Sequence, residues 1–340
     1  MKKFYAVVGN PPYQETIEGT SDKPVYNYFM DETYKVSNKV ELVTPGRFLF
    51  NAGKTPKDWN EKMLKDKHLK VLSYEQSSDK LFPGTDIKGG VAITYRDQTE
   101  NFGAIEVFSI HTELRSLQKK IAPNLTDGYL SDAMYLQNRF NLDEVYADYP
   151  EVRKLISSDG RERRIVTSSF NKLPIFTEDK QEEDSVRILG LAAANKRIYK
   201  WVSKRYIEDN GNLSAYKVVL PKANGSGAFG ESLSTPLICE PGIGYTQSFI
   251  GIGSVDNRSE SESILKYVKT KFVRALLGIL KITQDNPPEK WAYVPLQDFT
   301  ASSDIDWSKS VADIDRQLYR KYGLDDAEIE FIESHVKGMD

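Results

Sequence analysis

The chain has 340 residues, of which 39% are hydrophobic and 28% charged, with 46 basic against 49 acidic side chains. Such proportions suit one large or two mid-sized globular domains and exclude a disordered, collagen-like or membrane-spanning chain, because no run approaches the roughly 18 apolar residues a spanning helix needs. The single cysteine, Cys239, excludes an internal disulfide, and His68, His111 and His335 are too scattered to form a set with metal-ligand spacing.

At the N-terminus, Phe4-Tyr5-Ala6-Val7-Val8 is a short run of apolar, β-branched and aromatic residues that stops at Gly9 and two prolines. It predicts a buried strand running into a rigid turn. The same run is too short for a signal h-region and has no small-residue cleavage site, which points to a cytoplasmic protein. From Val25 to Val36 the residues Tyr26, Phe29, Met30, Thr33 and Tyr34 recur at helical spacing, and Val40-Glu41-Leu42-Val43 follows as a strand. Trp59, Met63 and Leu64 mark a short helix, and Leu69 to Tyr74 and Gly90 to Tyr95 mark two more strands, which could form an antiparallel edge. Strands alternating with helices predict an α/β layer.

After about residue 105 the pattern changes to mixed helices and irregular strands, with turn signals at Asp159-Gly160, Asn210-Gly211 and Ala223 to Gly227. This places a domain boundary within 100–125, giving units 1–105 and 106–340. Glu262 to Lys281 reads as one long helix, and Val311 to Val336 as two short helices hinged at Gly323. Net charge is uninformative about nucleic acid, but residues 151–222 hold 15 basic against 10 acidic side chains, a basic segment that can make a basic face.

The most informative residues are Asn10-Pro11-Pro12-Tyr13, directly after the first strand. In open α/β sheets ligands bind outside the carboxyl ends of the strands, where this turn falls. If the substrate is an exocyclic amine on a base, the Asn10 side-chain carbonyl and the Pro11 backbone carbonyl, held by two proline rings, can accept its two hydrogens. Two acceptors pin the amine and favour a localised nitrogen lone pair aimed at an electrophile. Tyr13 can stack on the base, a contact worth about 1–3 kcal/mol. A plain turn is the alternative, since Asn and Pro are turn formers. The second copy, Asn286-Pro287-Pro288, is followed by Glu289 and reads as a loop.

These residues resemble those of the N6-adenine-specific DNA methyltransferases of type II and IIG restriction-modification systems, whose catalytic motif is Asn-Pro-Pro-Tyr after a strand. Val40 to Leu49 is similar to that family's next strand and loop, and Leu81 to Thr94 to its later loop and hairpin, which presents a second aromatic to the flipped base. The resemblance gives that role to Phe82, where a packed hydrophobe is the alternative. Asn286 to Phe331 is similar to the end of the family's target recognition region. The implied fold is a partial Rossmann-like methyltransferase sheet in 1–105, followed by a mixed α+β target recognition domain in 106–340. The implied partner is double-stranded DNA, with the target base leaving the duplex.

Candidate DNA contacts are Arg161, Arg163 and Arg164 in a turn-like segment, then Lys196, Arg197, Lys200, Lys204 and Arg205 interleaved with Tyr199, Trp201 and Tyr206, and finally Lys217 and Lys222. Most would meet phosphate. The Lys196 to Arg205 stripe has an ordinary helix face as its alternative. The resemblance also implies S-adenosylmethionine as methyl donor, yet the family's glycine-rich cofactor half precedes the catalytic motif and only nine residues do so here. A permuted order has one candidate, Phe249-Ile250-Gly251-Ile252-Gly253, a weak motif. The expectation is either that a second polypeptide supplies the cofactor half or that the chain is a truncated or degenerate methylase that binds DNA without methylating it, and the expected protein partner is that second polypeptide or a restriction subunit. A DNA-binding specificity module without activity of its own is the alternative. Asp86-Ile87-Lys88 lacks the upstream acid of a nuclease site.

Overall fold

The structure is a computed structural model that describes residues 3–15, 22–156 and 163–339. The chain divides into two compact units, Met1–Arg115 and Ser116–Asp340, and the expected boundary at 105 lies in the irregular stretch 98–111 of the first.

In the first unit, strand β1 (Phe4–Gly9) leads through helix α1 (Tyr26–Val36) into strand β2 (Ser37–Pro45). Helix α2 (Lys57–Lys65), strand β3 (Leu69–Glu75) and strand β4 (Val91–Asp97) follow. Parallel strands need a crossover, and α1 supplies it: β1 and β2 run parallel, with Gly9 opposite Leu42. Spatial order is β1-β2-β4-β3, so β4 slots antiparallel between β2 and β3 and leaves β3 as the far edge. The exit of β2 and the turn into β4 each depend on a glycine. A Cβ on Gly46 would lie 2.7 Å from the Tyr74 ring, and one on Gly90, at φ +68°, would lie 2.5 Å from the Glu75 carbonyl.

The helices bury Tyr26, Met30, Trp59 and Met63, and Tyr26, Phe48 and Trp59 form an aromatic triangle with centroids 5.4–6.3 Å apart. The expectation that β1 is buried is corrected. With β2 as its one neighbour among the described residues, β1 is an edge strand there, and Phe4, Tyr5 and Val8 are 57%, 83% and 77% exposed.

Among its described residues the second unit holds two small sheets, a two-stranded pair of Arg139–Phe140 with Ile207–Glu208, and several helices. In the first sheet Val186–Leu191 lies between Arg197–Val202, antiparallel, and Ile243–Tyr245, parallel. The Lys196 to Arg205 stripe is therefore a strand and its flanks, not a helix face. β-branched and aromatic residues there suit an alternating, half-buried surface. The second sheet runs in the order Leu237–Cys239, Tyr216–Pro221, Phe249–Val255, Met134–Tyr135, all antiparallel.

The expected helix from Glu262 to Lys281 is two helices, Arg258–Lys269 and Lys271–Leu280. Thr270 leaves helical geometry at ψ 148° and caps the second helix by accepting the Val273 N–H. Buried Asp315 completes that cap, accepting the N–H groups of Lys271 at 3.0 Å and Phe272 at 2.9 Å. Val311–Lys321 and Asp326–His335 are the two tail helices, with Gly323 between them at φ +62°.

Candidate functional site

Asn10 to Tyr13 follows β1 without regular structure, and the chain then forms a two-residue ladder in which Gln14 faces Pro24 and Glu15 faces Lys23. Tyr13 is tied back to the start of α1 by its carbonyl, which accepts the Val25 N–H at 3.1 Å. Asn10 and Pro12 are exposed, Pro11 and Tyr13 half-buried. Among the described residues no backbone N–H is bonded to the Pro11 carbonyl. The Tyr13 hydroxyl is itself buried without a well-formed hydrogen bond. Burial raises the phenol pKa, and the Asn10 side chain beside it opposes that rise.

Beside this turn lies a cavity of about 490 Å3, within the range of small-ligand sites. Tyr13 and Gln14 line it from the turn, Pro45 and Arg47 from the exit of β2, and Asp86 and Ile87 from the loop before β4. Both parallel strands thus end at it. Much of its polarity is engaged: Gln14 donates to the Asp22 carboxylate at 2.5 Å, Lys54 to the Asp22 carbonyl at 2.9 Å, and Arg47 to the Lys88 carbonyl. Asp86 pairs with Lys88 at 2.6 Å on an exposed loop. Tyr26 forms one wall, its phenol pushed up to about 12 by burial, against the opposing effects of Thr55 and Arg47. Phe82 is half-buried in the same loop as Asp86 but does not line the cavity. The sequence singled out neither Arg47 nor Tyr26. Arg47 stands in the loop segment compared with the family, and Tyr26 reads as a core residue of a helix, so only the folded geometry brings them to Tyr13.

The basic candidates of the second unit separate by what they touch. Arg161 lies outside the described residues. Arg164, Lys196 and Lys204 are exposed. Arg163 pairs with Glu208 at 3.3 Å, Lys200 with Glu178, and Arg205 with Asp148, so these charges are partly neutralised within the protein. Arg197 donates to the Thr235 carbonyl and hydroxyl, and half-buried Lys222 lines a cleft described below. Lys217 is buried, its amine donating to the carbonyls of Leu213, Ala215 and Glu240 at 2.9–3.3 Å. Burial lowers its pKa to about 8, and it cannot reach a phosphate. The weak permuted glycine motif takes the form of a strand. Residues 249–253 lie in a strand paired on both edges, Gly251 making room for the Tyr245 hydroxyl, which would sit 2.3 Å from a Cβ. A paired strand offers no turn to cradle a cofactor.

Residues 1–82 match the family model described as Eco57I restriction-modification methylase. The N-terminal segment has family-level similarity to restriction-modification adenine methylases. An uncharacterized adenine-specific methylase of Mycoplasma pneumoniae is 27% identical over 94 residues, which cover 26% of this chain and 22% of that protein. Among solved structures, the type IIL restriction-modification enzyme MmeI in complex with DNA aligns over 97% of this chain and 56% of its own, at 9% identity and a TM-score of 0.44, a likeness too slight to fix a fold. The chain thus spans about a fifth of that curated relative and just over half of the solved enzyme. Among the described residues no helix is long and apolar enough to cross a membrane.

Proposed function

We propose that the chain is the catalytic-loop and target-recognition portion of a site-specific DNA adenine N6-methyltransferase of a restriction-modification system. The observation that carries this reading is the placement of Asn10 to Tyr13 where a parallel strand ends, beside a cavity that Tyr13 lines. The Asn10 side-chain oxygen and the Pro11 carbonyl accept the two hydrogens of the adenine amine, fixing it and turning its lone pair outward. Tyr13 offers a stacking face, and Phe82 a second one from the loop before β4. The second unit acts as the recognition domain, with Arg164, Lys196 and Lys204 meeting phosphate.

The glycine motif in 249–253 does not fit S-adenosylmethionine, the donor this family resemblance implies, since it is a doubly paired strand. This reading assigns the donor to protein outside the described residues. A second polypeptide in that role is supported by β1, which among the described residues pairs only with β2 and exposes Phe4, Tyr5 and Val8, leaving its other edge open to a further strand. The same misfit favours a second reading, a specificity module that binds DNA without methylating it.

Mapping N6-methyladenine across the genome, with the gene intact and deleted, tests the first reading. It predicts that one recognition sequence loses its methyl mark on deletion. An unchanged map overturns it, and binding of the purified chain to duplex DNA in that case supports the second.

A further inference from the structure

Four loops of the second unit converge on a cleft of about 440 Å3. One is the hairpin tip at 192–196, and the others lie around residues 222–235, 246–248 and 284–286. The floor is fixed by backbone hydrogen bonds: the Lys222 N–H donates to the Ser248 carbonyl at 2.9 Å, and the Asn286 N–H to the Lys222 carbonyl at 2.7 Å. Ala194 and Asn195 are the two central residues of the hairpin tip, at φ +55° and +58°, the left-handed geometry such a turn requires. Thr235 is strained, at φ +28°, a rare conformation for a β-branched residue, and strain of that kind gathers where a ligand is held. Arg197 braces the two walls by donating to the Thr235 carbonyl and, at 2.9 Å, to its hydroxyl.

The groups left for a ligand are two amides, an acid and a cation. Asn195, Gln247 and Asp285 are exposed in the cleft, and among the described residues their side chains make no hydrogen bond. Lys222 adds an amine. This set matches the edges of bases in a duplex groove: an amide side chain pairs with adenine through one donor and one acceptor, a carboxylate accepts from the cytosine amine, and a lysine donates to guanine.

We infer that this cleft reads base edges of the recognition sequence, with Asn195 and Gln247 as its principal specificity residues and Asp285 and Lys222 beside them. The inference rests on the reading of the chain as one that acts on duplex DNA. Arg197, on this account, positions the loop of Thr235 and does not contact phosphate.

The test is enrichment of bound sequences from a random duplex pool by the purified full chain, by Asn195→Gly, which keeps the left-handed backbone, and by Gln247→Ala. Matched thermal melts guard against misfolding. The wild type should enrich one motif, and each variant should lose about 5- to 150-fold discrimination at one or two positions of it, while binding to unselected duplex stays within about twofold. If the wild type enriches a motif and both variants enrich it unchanged, the cleft is not the reader and the DNA reading stands. If the wild type binds no duplex, both fall.

Discussion

The tripeptide Asn-Pro-Pro occurs at Asn10 and again at Asn286, and the two copies sit in opposite environments. Asn10 is exposed after a parallel strand, beside a cavity lined by Tyr13. Asn286 is fully buried, its N–H spent on Lys222, both polar atoms of its side chain unpaired, and its prolines lead into a short 3-10 turn at Pro288–Trp291. The residues are shared and the chemistry is not. A polar side chain is available for a ligand where packing leaves it unburied and the fold aims the loop at an opening, and neither property resides in the three letters.

The comparison is sharpened first at Lys281, next to the buried copy. Its side chain is 4% exposed, pairs with Glu231 and donates to the Asn224 carbonyl at 2.9 Å, while the Asn224 N–H bonds to Gln284. Lys281→Met should cost about 3 kcal/mol in denaturant unfolding, because it takes the cation from the Glu231 carboxylate, which keeps only its bonds from Ser226 and Gly227, and the donor from the Asn224 carbonyl. A loss below about 1 kcal/mol would show that this loop is not anchored as described.

A smaller effect is expected at Asp315, which caps the helix Lys271–Leu280. Burial pushes its pKa up to about 6, against the opposing hydrogen bonds from Phe272 and Lys271. Its folded pKa is above the unfolded one, so the stability tied to its protonation is full below about pH 4 and lost as pH rises through about 6. Relative to Asp315→Asn, the wild type should lose on the order of 2–3 kcal/mol between pH 4 and pH 7. A difference that stays flat with pH would mean that the carboxylate is solvated.

The smallest effects separate the two asparagines themselves. Asn286→Leu replaces two unpaired buried polar atoms with apolar ones of similar shape and should raise stability by about 1–2 kcal/mol. Asn10→Ala, on an exposed turn, should stay within about 0.5 kcal/mol of wild type. If the order reverses, the contrast between the copies is wrong.

Much of the first unit was legible because its signals are local. Apolar runs that end at Gly9 or begin after Gly90, and helical spacing from Tyr26 to Tyr34, carry their own periodicity. The exposure of β1 was not legible, since Phe4 to Val8 has the composition of a buried strand and only the neighbours present decide its burial. In the second unit, Lys271 to Lys281 continues the helical spacing of the residues before it, and the cap formed by Thr270 at the break is completed by a partner 44 residues after Lys271, Asp315, that no local pattern displays. The glycines at 251 and 253 read as a cofactor turn because glycine marks both a cradle and a close approach. Here the approach is that of Tyr245. At the candidate site the sequence singled out Asn10 to Tyr13, whereas Arg47, Tyr26 and the cleft around Asn195 and Gln247 depend on which loops meet.

The most direct test is the level of N6-methyladenine in DNA from cells whose intact locus carries wild-type, Asn10→Ala or Asn286→Leu protein at equal abundance. The account predicts a fall on the order of 100-fold or more for Asn10→Ala, the scale of losing one group that stabilises the reacting centre, and wild-type methylation for Asn286→Leu. Full methylation with Asn10→Ala would contradict it.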